Sequence, residues 1–332
     1  MHDAMRDPSV WPVGIDEITA ARDRIRPFVP ESPLRSYPVL DAEVGRGIQV
    51  FVKHENFNPT NSFKVRNAFS LMTSLSDDER RRGVVAATRG NHGLGIAYAG
   101  QTFGVPVTIC VPIGNNPEKN AGMRALGARL IEEGRDYDES VEVAARIVRE
   151  EGARLAHSTN DRAIIAGAGT MSLEMVAQEP ALDAVVVVVG GGSQAVGALT
   201  VTRALQPNVK VYAVQATGAA AAHDAWHSGT RRVLERADTF ADGLATRSAY
   251  DMTFPALRAG LADFITVSDA QIAGALRVLL RTTHSLVEGA GAGGLAGLLA
   301  LRDRLAGQRV AIVLSGGNID EHTLRRVITR EI

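Results

Sequence analysis

The stretch "AVVVVVGGGSQAVG" (184–197) constrains the fold of this chain more than any other. Side chains alternate faces along a strand, so a strand with one wet face alternates apolar and polar residues. A strand that is apolar at every position must be covered on both faces, as in a parallel sheet between helical layers. The pattern recurs in "GVVAAT" (83–88), "PVTICVP" (106–112), "KVYAVQA" (210–216) and "RVAIVLS" (309–315), with shorter runs "RLIEEG" (129–134) and "RLAHS" (154–158). Helical stretches fall between them at 91–104, 118–128, 137–152, 162–178 and 193–207, and again at 269–283 and 291–305. This alternation predicts an α/β protein with parallel twisted sheets flanked by helices. Earlier in the chain, "IDEITAARDRIRP" (15–27) reads as a helix ended by Pro27, "IQVFVKHE" (48–55) as a strand, and residues from Lys64 to about 74 as a helix. The segment 216–256 has weak periodicity and is expected as a helix plus loops crossing the surface. A chain of 332 residues suits two domains.

Several function classes are excluded early. With 36 Lys+Arg against 37 Asp+Glu, the net charge is −1, which gives no electrostatic case for nucleic acid or an anionic membrane. No apolar run approaches the roughly 20 residues of a membrane span. The opening "MHDAMRDPSVWP" lacks the basic and apolar regions of a signal peptide, so a cytoplasmic location is expected. Cys110 is the only cysteine, which excludes an intrachain disulfide; inside "PVTICVP" it reads as a buried core thiol. No cluster has metal-ligand spacing, and no metal is expected.

The glycines point to a site. In 185–197 a buried strand runs into Gly190, Gly191 and Gly192, and a helix opens at Ser193 and Gln194. Three glycines let backbone approach a ligand closely, and a helix N-terminus offers free N–H groups with partial positive charge, a combination that binds phosphate. The spacing matches neither a P-loop nor a dinucleotide fingerprint. In "ATRGNHGLG" (87–95) a second strand hands over to a helix with Thr88, Arg89, Gly90, Asn91 and His92 at the junction, where N–H groups can hold a carboxylate. Taken singly, His92 reads as a satisfied structural histidine and Asn91 as a helix cap. "VEGAGAGGLAGLL" (287–299) opens a helix with small residues. In "IVLSGGNID" (312–320), Ser315 sits at the carboxyl end of a strand, where open α/β sheets bind ligands. "NPTNSFKVRNAF" (58–69) sets Lys64 between Phe63 and Val65, with Ser62 two residues before it. A phosphate cradle, a carboxylate loop, a strand-end hydroxyl and a lysine in apolar surroundings together suit a phosphorylated aldehyde cofactor held as a Schiff base that receives an amino acid.

In chain order, "KHENFNPTNSFKVR", "TRGNHG", "GAGTMSLE", "GGGSQAVG", "FADGLA", "EGAGA" and "LSGGNID" resemble the fold-type II (tryptophan synthase β-like) pyridoxal phosphate enzymes, and within them the threonine/serine dehydratase and serine racemase family. The resemblance covers about residues 15–320. It implies a two-domain fold, with a large cofactor-binding domain of 1–67 plus 161–332 and a small inserted α/β domain of 68–160. It implies pyridoxal 5'-phosphate as cofactor, a small-molecule amino-acid substrate and a homodimer. Lys64 matches the Schiff-base lysine, which also moves protons at the substrate α-carbon. Gly190, Gly191, Gly192, Ser193 and Gln194 match the phosphate loop, Asn91 the partner of the cofactor's phenolic oxygen, and Ser315 the residue facing the pyridine nitrogen. Phe63, Gly243 and Glu288 match positions lining the cofactor; Ser62, Thr88, Arg89, Gly90, Asn91 and His92 match substrate contacts. A serine hydroxyl does not keep the pyridine nitrogen protonated as a carboxylate would, so the ring is a milder electron sink. This favours β-elimination from a β-hydroxy-α-amino acid such as threonine, serine, 3-hydroxyaspartate or phenylserine. Alternatives are a racemase, a β-replacement synthase or a silent amino-acid-binding relative.

The sequence departs from the family pattern in places. Arg89 stands where the racemases carry a serine that works opposite the lysine, and arginine is a poor proton donor or acceptor. Racemisation is therefore disfavoured; Arg89 reads either as an ion-pair partner within the protein or as a reader of a second acidic group on the substrate. Gln215 and Ala219–Ala222 replace the region where many relatives bind a divalent cation. Leu94 and Ala168 stand where relatives often have glutamine, and are expected to make the pocket less polar and admit a bulky β-substituent.

Overall fold

The structure, a computed structural model, describes residues 7–135 and 137–332. Residues 1–6 of the stretch read for targeting signals lie outside it. No helix among the described residues is long and apolar enough to cross a membrane.

Two sheets form the frame. The larger has six strands in the order β1 (Leu34–Ser36), β2 (Gln49–His54), β10 (Arg309–Leu314), β7 (Ala184–Val188), β8 (Lys210–Ala216), β9 (Asp263–Val267). All its pairings are parallel except β1 with β2. The second sheet is wholly parallel, in the order β5 (Arg129–Glu132), β4 (Val107–Val111), β3 (Val84–Ala87), β6 (Arg154–Leu155). The valine run is the large sheet's inner strand, with all five residues of β7 buried. Its alternation divides the cores. Val185 and Val187 join Val211, Ala213, Ala311 and Val313 on one face. Ala184, Val186 and Val188 join Tyr212, Val214, Val310 and Ile312 on the other. Each face is closed by helices, Arg162–Gln178 and Ser193–Leu205 on the first and Asp269–Thr283 and Gly289–Leu301 on the second. Cys110 lies in a smaller core of the second sheet, where burial pushes its thiol up to about 11.

Helix Lys64–Ser74 links the two layers. A methyl group at Gly95 would lie 2.8 Å from the Lys64 carbonyl oxygen, and one at Gly167 would lie 2.5 Å from the Arg66 carbonyl oxygen. Helices Asn91–Phe103 and Arg162–Gln178 therefore touch it backbone to backbone on two sides. Below it lies a buried four-ion cluster. Arg66 donates from Nε to Glu55 Oε2 (2.7 Å) and from Nη1 to Glu174 Oε1 (2.6 Å). Lys53 donates to Glu174 Oε2 (2.8 Å), the Ser32 carbonyl (2.7 Å) and Gln178 (2.9 Å). Lys53, Arg66 and Glu55 are at most 1% exposed and Glu174 is 5% exposed, so the charges compensate one another out of water.

The segment 216–256 corrects the sequence reading. It holds helix Ala221–Ser228, a 3₁₀ turn Asp242–Leu244 and the start of helix Phe254–Gly260, with coil between. Rather than only crossing the surface, its stretch 235–250 forms a wall of the central cavity.

Candidate active site

Residues that follow β3, β7 and β10 face one cavity of about 390 Å³, lined by Thr88, Gly190 and Ser315 among others. It lies beyond the carboxyl ends of strands from both sheets, where α/β folds bind ligands. The structure brings Phe63, Lys64, the loop 88–92, residues 190–194, Gly243, Glu288 and Ser315 onto its walls. It does not place Ser62 there. Ser62 bridges to Gly316, is fully buried, and its hydroxyl has no hydrogen-bond partner.

The glycine loop is held by its carbonyls. Thr253 Oγ1 donates to the Gly191 carbonyl (2.7 Å) and Thr246 Oγ1 to that of Gly190 (3.3 Å). Among the described residues the N–H groups of Gly190, Gly191, Gly192 and Ser193 donate to nothing in the protein, while Val196 N–H already bonds back to Gly192. Space excludes side chains here: a methyl at Gly190 would lie 2.2 Å from the Gly243 carbonyl oxygen, and one at Gly191 would lie 1.8 Å from Thr159 Oγ1. Gly192 adopts φ +99°, open to glycine at no cost. The result is a ring of unpaired donors at the N-terminus of helix Ser193–Leu205.

Lys64 lines the same cavity. Its Nζ lies 4.8 Å from the Phe63 ring centroid and has no hydrogen-bond or ion-pair partner among the described residues. Burial lowers its pKa to about 8, against the opposing pull of Glu288. Burial pushes Glu288 itself up to about 7, opposed by Lys119 and by a hydrogen bond from Asn91 Nδ2 (2.6 Å). Asn91 Oδ1 in turn accepts from Asn318 Nδ2 (2.7 Å), so both ends of the amide are engaged.

In the 88–92 loop, Gly90 N–H bonds Thr88 Oγ1 (3.0 Å). His92 donates from Nε2 to the Ala156 carbonyl (2.8 Å), and burial pushes its pKa down to about 3, so the ring is neutral and pinned. Arg89 is exposed on the cavity wall. Leu94 and Ala168 are not on the wall. Leu94 packs toward Gly122 of helix Pro117–Ala125, and Ala168 is fully buried in the large core. The expectation that they set the pocket's polarity is corrected: the helical turn points both away from the cavity.

The sequence of this chain matches the family described as "Pyridoxal-phosphate dependent enzyme" over residues 25–316. The chain belongs to the pyridoxal-phosphate dependent enzyme family. Among relatives, it is 38% identical to an L-threonine ammonia-lyase of Thermotoga maritima over 96% of this chain and 79% of the relative. It is 33% identical to an L-threo-3-hydroxyaspartate ammonia-lyase of a Pseudomonas species, covering 92% and 95%. The solved structure of maize serine racemase superposes with a TM-score of 0.90 at 30% identity, covering 97% of this chain and 98% of that one.

The residues present fit the family's cofactor, pyridoxal phosphate. The unpaired N–H ring suits a phosphate, the buried Gln194 Nε2 beside it lacks a partner, and the unpartnered Lys64 amine suits an aldehyde. This member of the pyridoxal-phosphate dependent enzymes also uses residues that its sequence did not single out. Thr159, Thr246 and Thr253 shape the glycine loop. Lys119 bonds Asp242 (2.9 Å) across the cavity, and the acids around it hold its ammonium charged despite burial. Each lies far in sequence from the motif it serves, and a lone threonine or lysine carries no local signal.

Proposed function

We propose that the protein is an ammonia-lyase that eliminates the β-hydroxyl of a β-hydroxy-α-amino acid, giving a 2-keto acid and ammonia. The observation that carries this reading is the unpartnered, low-pKa Lys64 amine sharing one cavity with the unpaired N–H ring of 190–193. The backbone of Gly190 to Ser193, with Gln194, would hold the phosphate; Ser315 would stand at the pyridine nitrogen; Gly243 and Glu288 would flank the ring. Pyridoxal phosphate, when bound, supplies a carbonyl that condenses with amines and a ring that withdraws electrons from the substrate α-carbon. The start of helix Asn91–Phe103, where the N–H groups of Asn91, His92 and Gly93 have no acceptor among the described residues, would hold the substrate carboxylate, with Thr88 and Gly90 shaping the loop through their own hydrogen bond. With a pKa near 8, Lys64 is partly neutral at physiological pH and able to take the α-proton. His92 is too acidic an imidazolium to serve as acid at neutral pH, so its work is to fix the loop through Ala156. Loss of the β-hydroxyl as water, followed by hydrolysis at the α-carbon, balances to keto acid plus ammonia.

Racemisation needs a proton donor on the face opposite the lysine, and Arg89 does not supply one. A homodimer in the cytoplasm accords with the family resemblance, and sedimentation of the purified protein tests the dimer. The functional test is a panel of β-hydroxy amino acids scored for keto acid, ammonia and enantiomer, beside Lys64→Ala. Keto acid and ammonia in equal amounts, with a visible cofactor band lost in Lys64→Ala, support the reading. Enantiomer exchange without keto acid would overturn it.

A further inference from the structure

The cavity wall carries two arginines that no described residue engages. Five cationic side chains line it (Lys64, Arg89, Lys119, Arg236, Arg247) against three acidic ones (Glu235, Asp242, Glu288). Asp242 is engaged with Lys119, and Glu288 with Asn91. Arg89 forms no hydrogen bond or ion pair among the described residues, which leaves the first of its two sequence readings, an internal ion pair, without a partner. Arg236, on the 235–250 stretch of the wall, is likewise exposed and without a partner among the described residues.

Arg89 stands two residues ahead of helix Asn91–Phe103, at the positive end of that helix's dipole. A cation there opposes the dipole instead of complementing it, so Arg89 contributes nothing to the helix. A guanidinium and a helix N-terminus side by side both favour an anion, and the guanidinium fork matches a carboxylate with two parallel hydrogen bonds. The helix N-terminus already offers N–H groups to the α-carboxylate of an amino acid, which leaves the fork for a second anionic group.

We propose that Arg89 is a specificity-determining residue that binds a second carboxylate, carried on the β-carbon, so that the favoured substrates are 3-hydroxy dicarboxylic amino acids such as 3-hydroxyaspartate. The inference rests on the ammonia-lyase reading for its chemistry, and its test has an arm that does not.

The experiment compares wild-type holoenzyme with Arg89→Gln. The expected wild-type kcat/KM is at least tenfold higher for 3-hydroxyaspartate than for threonine. In Arg89→Gln that ratio falls by about 10- to 100-fold, the range set by charge-assisted hydrogen bonds, with the loss in KM. Equal losses on 3-hydroxyaspartate, threonine and serine would mean that Arg89 holds the α-carboxylate or the loop, and would overturn the proposal. The second arm needs no turnover: calorimetry of malate, an unreactive hydroxydicarboxylate, against lactate. Wild-type holoenzyme binds malate at least tenfold tighter, and Arg89→Gln removes most of that preference. Equal wild-type affinities overturn the proposal even where no amino acid is turned over, whereas absent turnover with a clear malate preference counts against the ammonia-lyase reading alone. Cofactor affinity, read by fluorescence titration, stays within threefold in Arg89→Gln; a tenfold fall would assign Arg89 to the cofactor phosphate and overturn the substrate role.

Discussion

Replacing Arg66 by methionine keeps the length of the side chain and removes its charge, leaving Glu55 and Glu174 facing each other with Lys53 as their only cation. Removing one partner from a buried ionic cluster costs about 3–5 kcal/mol, because the carboxylates left behind have no water. For a chain of 332 residues the entropy of unfolding is about 0.7 kcal/mol/K near the midpoint, so the loss corresponds to a fall in Tm of about 4–7 °C. The pH dependence is diagnostic. Burial works to raise the Glu55 pKa, but Arg66 and Lys53 outweigh it and hold the carboxyl below its ordinary value. In the wild type Glu55 therefore contributes stability that is present above the ordinary carboxylate pKa and lost as pH falls through the lower, folded one. In Arg66→Met the sign reverses: burial dominates, the folded pKa rises, and the stranded carboxylate is relieved by protonation. The Tm difference, measured by calorimetry on cofactor-free protein, should be greatest near pH 8 and shrink by half or more near pH 5.5. A deficit under about 1 °C at pH 8, or one that grows as pH falls, would refute this account of the cluster.

Gly191→Ala should weaken pyridoxal phosphate binding at least tenfold by fluorescence titration, since the new methyl displaces either the loop or Thr159; an affinity within twofold of wild type would mean the loop has slack. Recombination of cofactor with the cofactor-free protein requires the neutral Lys64 amine, so its rate should rise about tenfold per pH unit below pH 8 and level off above it, as followed by stopped-flow absorbance. Glu288→Gln removes the charge that holds that pKa up and should move the midpoint to lower pH; a shift upward would contradict the assignment. Activity should survive EDTA, because Gln215 Oε1 already accepts the N–H groups of Ala222 (3.1 Å) and His223 (3.0 Å), and reversible loss on chelation would show otherwise.

The inner strands were legible because burial on both faces writes itself into sequence as unbroken apolar runs, and β7, β10, β3 and β4 fall where those runs lie. The two edge strands of the large sheet were not, although β5 and β6, the edges of the second sheet, fall on the short runs read from sequence. β9, "DFITV", is only partly buried and carries no unbroken apolar run, and β1 is a three-residue antiparallel addition; pairing, not composition, makes them strands. Helix Glu321–Ile328 was missed beyond the last strand, though Asp320 caps it through Thr323 N–H. The glycine loop could be read because a run of glycines before a helix has few other uses. The ion cluster could not, because Lys53, Glu55, Arg66 and Glu174 meet only after β2 and two helices have packed. Leu94 and Ala168 failed for a related reason: a motif places residues in order along the chain but does not say which way a helix turns them.

The backbone contacts at Gly95 and Gly167 bear on how the cleft can move. At those two points the backbone of helix Lys64–Ser74 meets its neighbours closely, so a displacement there is not taken up by a change of rotamer alone. A displacement of either neighbouring helix at these points meets the main chain at 64–67, the root of the Lys64 side chain. Two small, chemically silent positions thus govern the aim of the reactive amine. A single added methyl at either is a way to retune it without touching the cavity.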